Sequence, residues 1–171
     1  MSKASPSPPI IAKTRRTFHI VASRFNTQYV DGLIDHVTEE LRALAPHGTI
    51  LLHRVPGSFE IPVVAREVAI QNKADAIIAC GVILRGETNH AQNLGRSVTD
   101  ALQRIAIEHG VPVINAVLSF DNETQARARC LENKINRGTE AARAAVEIAN
   151  VLSEVRSKQG VAVSKPTRNN G

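Results

Sequence analysis

The run at residues 75–84, DAIIACGVIL, constrains the fold more than any other stretch. After Asp75 it is apolar without interruption, where a half-solvated strand would alternate apolar and polar positions. A strand of this kind is buried on both faces, which calls for a parallel sheet covered by helices above and below. At 171 residues the chain is long enough for one ordinary domain with its own core. Only 3% of residues are aromatic and none is Trp, so that core has to be built from Val, Ile, Leu and Ala. A Phe near a polar loop therefore stands out.

The remaining segments supply the other parts of such a sheet. Residues 17–23 (TFHIVAS) and 49–55 (TILLHRV) read as strands, and 113–119 as a fourth. Between the first two, Asn26 or Thr27 is placed to cap a helix running to about Leu44, with Val30, Leu33, Ile34, Val37, Leu41 and Leu44 at helical spacing. Pro46-His47-Gly48 ends it. A helix is expected from about Phe59 to Gln71, with Pro62 tolerated only in its first turn. Another runs to about His109 and stops at Gly110 and Pro112. Two more are expected at about 123–133 and 139–155, the last Ala-rich on one side. Strands alternating with helices give a three-layer α/β/α sandwich around a four-stranded parallel sheet, flavodoxin-like in outline. The domain spans 17–156. Residues 1–16, with Pro6, Pro8 and Pro9, are expected to form a flexible arm, and 157–171 a basic flexible tail.

Charge distribution excludes some functions. The net charge is +5, but the first sixteen residues carry Lys3, Lys13, Arg15 and Arg16 with no acid, and the last nineteen carry Arg156, Lys158, Lys165 and Arg168 against Glu154. The body between is left at −2. A nucleic-acid-binding domain would carry a basic stripe on its folded face, so nucleic acid is not the expected partner. Cys80 and Cys130 lack metal-ligand spacing, and Cys80 sits in the apolar run as a small core residue. No apolar stretch reaches the roughly 20 residues a membrane helix needs, and the N-terminus lacks the apolar segment of a signal peptide. A cytoplasmic location is the expectation.

In parallel sheets ligands bind beyond the carboxyl ends of the strands. That rule selects four loops: 24–26, 56–60, 85–90 and 120–122. Phe25 at a strand exit is able to stack on a flat heterocycle. Gly57 permits a tight turn, and Glu60 in the following helical turn serves either as a cap or as an acceptor for ligand hydroxyls. Residues 85–90, Arg85-Gly86-Glu87-Thr88-Asn89-His90, lead into a helix N-terminus, a natural cradle for phosphate. His90 alone of the six histidines falls in a ligand-side loop. That place makes it the candidate general base. Arg127 and Arg129 on the next helix are candidates for meeting a phosphate bidentately, with a solvated helix surface as the ordinary alternative.

Five segments together resemble the lumazine synthase family: Arg24-Phe25-Asn26; Val55-Pro56-Gly57-Ser58-Phe59-Glu60-Ile61-Pro62; Gly81-Val82-Ile83-Leu84-Arg85-Gly86-Glu87-Thr88-Asn89-His90; Gly110-Val111-Pro112-Val113-Ile114; and Asn136-Arg137-Gly138-Thr139-Glu140-Ala141-Ala142. The resemblance covers roughly residues 17–152. It implies an enzyme that condenses 5-amino-6-(D-ribitylamino)uracil with 3,4-dihydroxy-2-butanone 4-phosphate, without metal or organic cofactor. It further implies that Phe25 stacks on the pyrimidine and that Asn26 is among the residues binding the pyrimidine or ribityl group. Ser58, Phe59 and Glu60 would hold the ribityl chain, and Val82, Ile83 and Leu84 would present backbone groups. Gly86, Glu87, Thr88 and Arg129 would bind the phosphate, and His90 would move protons. Asn115 and Arg137 are placed near the pyrimidine and ribityl groups by the same resemblance. Family members assemble as pentamers with sites between neighbouring subunits, some as 60-subunit icosahedral shells, and association with riboflavin synthase follows for those. An exchanged N-terminal strand is also implied.

Three departures from the family pattern stand out. Ala91-Gln92-Asn93 replaces the aromatic and acid that usually follow the histidine, Asn115 stands where an aromatic is usual, and Arg137 replaces a lysine. They motivate a rival reading, in which the fold keeps affinity for pyrimidine or flavin, or forms a shell, with little turnover. A flavodoxin-like FMN protein is disfavoured, because Arg24-Phe25-Asn26-Thr27 does not supply a hydroxyl-rich phosphate loop after the first strand.

Overall fold

Four strands, β1 (Thr17–Ser23), β2 (Thr49–Val55), β3 (Ala76–Leu84) and β4 (Val113–Phe120), make one sheet in the order β2-β1-β3-β4. All three pairings are parallel, with Phe18 opposite both Ile50 and Ala76, and Ile77 to Leu84 opposite Val113 to Phe120. The helices are α1 (Thr27–Leu44), α2 (Ile61–Ile70), α3 (His90–His109), α4 (Glu123–Cys130) and α5 (Arg137–Arg156). This computed structural model describes residues 7–10, 15–86 and 89–157, and the counts refer to those. Most of the expected arm and tail therefore lies outside the described residues.

The unbroken apolar run of β3 is explained by two cores on opposite sides of the sheet. Ala76, Ile78, Cys80 and Val82 point to one, shared with Phe18, Ile20, α1 and α5. Ile77 and Ala79 point to the other, shared with Val21, Val55, α2 and α3. The period-two alternation of a strand thus serves both layers. Burial of Phe18, Ile20, Ile77, Ile78 and Leu102 at 1% exposure or less stabilises the fold by about 1.5–3 kcal/mol per side chain. Burial also pushes the Cys80 and Cys130 thiols up to about 12, which leaves both as protonated, inert core residues. No helix among the described residues is long and apolar enough to cross a membrane.

Element boundaries differ from the sequence expectation at several places. The second helix is entered through a 3₁₀ turn at Ser58–Glu60, and Pro62 follows in the first turn of α2. Asp75 lies outside β3; its carboxylate instead accepts from the Thr17 N–H at 2.7 Å and from Arg16 at 2.9 Å. α4 stops at Cys130 instead of about Asn133, and α5 begins two residues earlier than expected. There Asn136 caps α5 through the Gly138 N–H and donates its amide to the Glu132 carbonyl, so residues 131–136 form a turn.

One polar pair is set into the second core. His19 is 9% exposed, and its Nδ1 lies 2.9 Å from Nε2 of His53 on the edge strand β2. The ring centroids are 5.2 Å apart and the planes 8° from parallel. That separation is what the nitrogen–nitrogen distance plus two ring radii gives, so the rings meet edge to edge. One nitrogen must donate and the other accept, and double protonation breaks the bond. Burial, then the neighbouring His53, lowers the pKa of His19 below 6.5. The unfolded chain therefore binds the proton more readily than the folded one. Stability from this site is complete above the unfolded value and is lost as pH falls from there through the lower folded value. Urea unfolding between about pH 8 and about pH 5 is expected to show a steeper acid loss for wild type than for His19→Gln. Parallel slopes in the two proteins would rule this out.

Candidate functional site

From β1 the chain moves outward to β2, then returns across the sheet to β3 on the other side of β1. The crevice between the carboxyl ends of β1 and β3 is the point where direction reverses, the place at which open α/β sheets bind ligands. A cavity of about 350 Å³ opens there. It is lined by Phe25 and Asn26 after β1, by Gly57, Ser58, Phe59 and Glu60 after β2, by Val82, Ile83 and Leu84 at the end of β3, and by His90 and Leu94 of α3. The chain thus brings together loops from three strands and the start of one helix.

Each wall has a local cause. The 3₁₀ turn at Ser58–Glu60 drops against β3 because position 81 is glycine. A Cβ there would stand 2.7 Å from the Ser58 Oγ and 3.3 Å from Ile61 Cδ1. Ser58 is thereby held buried at the cavity wall, while Phe59 and Phe25 remain 64% and 71% exposed. Glu60 accepts the Gly57 N–H at 2.8 Å through Oε2. The capping role is thus filled by one carboxylate oxygen. The two exposed phenyl rings, the strand-end carbonyls and an acidic group fit a ligand with a flat ring and a hydroxylated chain. His90 is the first residue of α3, exposed at the cavity. Leu94 lies one turn further along the same helix face, and that i, i+4 relation to His90 is the signal by which sequence reading would have found it.

The other candidates lie elsewhere. Glu87 and Thr88 are outside the described residues. Gly86 is exposed, with nothing within 4 Å of where a Cβ would be. Asn115 does not line this cavity. It sits on β4, where its amide donates to Thr99 Oγ1 at 3.0 Å and its oxygen accepts from the Val117 N–H at 2.9 Å. Thr99 and Val117 belong to a separate cavity of about 490 Å³ between α3 and β4. Phe120 is 6% exposed, packs in the first core and also borders that second cavity. Arg129 is half-buried on α4 beside the buried Cys130. Arg137, at the start of α5, forms an ion pair with Glu140. Neither arginine lines the cavity of its own chain.

Comparison with known proteins agrees with this architecture. The profile of 6,7-dimethyl-8-ribityllumazine synthase matches residues 15–153. A protein of that name from Paraburkholderia phymatum is 42% identical over 142 residues, 82% of this chain and 80% of the relative. Its namesake from Burkholderia multivorans is 43% identical over 133 residues, 77% of this chain and 75% of the relative. One from Azoarcus sp. is 40% identical over 134 residues, 78% of this chain and 83% of the relative. The match runs through all four strands and the loops at their carboxyl ends, so the chain belongs to the 6,7-dimethyl-8-ribityllumazine synthase family.

Proposed function

We propose that the protein condenses 5-amino-6-(D-ribitylamino)uracil with 3,4-dihydroxy-2-butanone 4-phosphate to give 6,7-dimethyl-8-ribityllumazine, phosphate and water. The observation that carries this reading is the cavity at the switch point, where Phe25, Ser58, Phe59, Glu60, the end of β3 and His90 share one wall system. In the reaction the primary amine of the pyrimidine adds to the ketone and water leaves as the imine forms. Loss of a proton from the carbon beside the imine then expels phosphate with cleavage of its C–O bond, the enol so formed becomes a ketone, and the ribityl-bearing nitrogen adds to that carbonyl and closes the ring as a second water departs. Phe25 stacks on the pyrimidine, and Ser58, Phe59 and Glu60 hold the ribityl chain. Backbone groups of Val82, Ile83 and Leu84 read the pyrimidine edge. Residues 86–88 and Arg129 hold the phosphate, and His90 takes and returns protons. Holding two reactants in register supplies about 7–11 kcal/mol towards the barrier without any cofactor.

Asn115, Arg129 and Arg137 are off the cavity of their own chain. In the proposed homo-oligomer a neighbouring copy presents them to it, with the pentamer as the unit. The test is to mix the purified protein with both substrates and follow lumazine absorbance. Turnover above the spontaneous reaction is expected. Product at the spontaneous rate would favour the rival reading, a ligand-binding or shell-forming relative, which Asn115 motivates because its amide is already engaged with Thr99 and Val117.

A further inference from the structure

Asn26 occupies the N-cap position of α1, where an asparagine side chain ordinarily accepts a hydrogen bond from the first turn. It makes no such bond. Its Nδ2 instead reaches 56 residues along the chain and donates to the Val82 carbonyl at 2.8 Å. Its backbone sits in the left-handed region at φ 55°, ψ 43°, a conformation that disfavours any residue with a Cβ, asparagine least among them. The capping bond is thus given up for one tertiary bond, and both of its partners line the cavity between β1 and β3. On the amino side, the Arg24 N–H donates to the Val55 carbonyl at 2.9 Å. On the carboxyl side, the Thr27 hydroxyl donates to the Arg24 carbonyl. Phe25, between these anchors, has its ring 71% exposed at the rim.

We propose that Asn26 is a positioning residue: by tying the left-handed turn to Val82 it fixes the ring plane of Phe25 against the end of β3. The distance between the stacking ring and the strand-end backbone groups is then set before ligand arrives, which is the preorganisation a stacked heterocycle needs. This rests on the reading above, in which the cavity seats the pyrimidine, and it assigns Asn26 an action through Phe25 and Val82, in place of direct contact with substrate.

Two variants separate the backbone from the amide. Asn26→Gly relieves the left-handed conformation and removes the anchor. Asn26→Asp keeps a side chain suited to that conformation, but its carboxylate has no proton to donate to a carbonyl. Asn26→Gly is expected to melt close to the wild-type temperature, and Asn26→Asp below it, because its carboxylate is repelled by the Val82 carbonyl. Both are expected to lose at least about tenfold in kcat/KM and in affinity for the ribitylaminopyrimidine titrated alone. Combined with Phe25→Ala, either change is expected to cost little more than Phe25→Ala by itself, because the two residues act as a unit.

Activity and affinity within about twofold of wild type in both variants would overturn the proposal, and so would losses that add in full to those of Phe25→Ala. A wild type that binds the pyrimidine but makes no lumazine would remove the synthase reading alone, and the binding titrations would still decide the role of Asn26. A wild type that binds no pyrimidine would overturn both.

Discussion

Alanine at position 138 is expected to cost about 3 kcal/mol or more of folding stability, at the upper end of what one added methyl group does in a packed interface. A Cβ there would stand 2.5 Å from the Leu33 carbonyl oxygen, 2.9 Å from His36 Cβ and 3.0 Å from Asn136 Oδ1. The nearest of these is backbone of α1, which cannot yield without moving the helix. Moving α5 instead would loosen the seam of Ala141, Ala142 and Ala145 against α1 and stretch the buried bond from the Gly138 N–H to Asn136. At an exposed helical site the same change would gain up to about 1 kcal/mol. A loss therefore measures the close approach directly. Gly32 is the matching notch on α1, where a Cβ would meet Leu131 Cδ2 at 2.4 Å and the Cys130 carbonyl at 2.6 Å. Gly86→Ala serves as the control, since it has open space and should unfold at the wild-type urea concentration. A Gly138→Ala midpoint equal to wild type would overturn the close apposition of α1 and α5 at this position.

Legibility in the sequence followed the strength of local signals. All four strands were readable, because their apolar runs are bounded by Pro, Gly or polar clusters, even on the edge strand β2, where Leu51 and Leu52 are exposed. Three of the four loops selected by the rule for parallel strands reach the cavity, namely 24–26, 56–60 and, through His90, 85–90; Phe120 and Asp121 of the fourth border the separate cavity between α3 and β4 instead. The end of α4 was not readable, because ETQARARC carries no apolar stripe and its stop depends on Asn136 reaching back to Glu132, a contact made only in the folded turn. The use of Asn26 was hidden for a related reason. Beside a helix start an asparagine reads as a cap, and only the tertiary placement of Val82 shows that its amide is engaged elsewhere. The capping reading of Glu60 was legible from its place in the first turn, and the Gly57 N–H is the partner found. Asn115, Arg129 and Arg137 lie off the cavity of their own chain, and spacing along a sequence does not distinguish that placement from one inside it.

His90→Ala is expected to lower kcat by about a hundredfold while leaving KM and the melting temperature close to wild type. The stability expectation follows from placement: His90 is exposed at the first position of α3, where the helix ladder does not depend on its side chain. The kinetic expectation follows from the division of labour in the proposed reaction. Proton transfer by a placed imidazole contributes about 10²–10⁴-fold, whereas orienting the two reactants contributes about 7–11 kcal/mol and survives the substitution. The lower end applies because water takes over part of the proton traffic once the imidazole is gone. A fall in kcat with KM unchanged is the signature of a group that acts in the transition state rather than in binding. A rise in KM with kcat intact would instead make His90 a binding residue, and a variant as fast as wild type would leave the proton transfers to solvent or to a group on a neighbouring subunit.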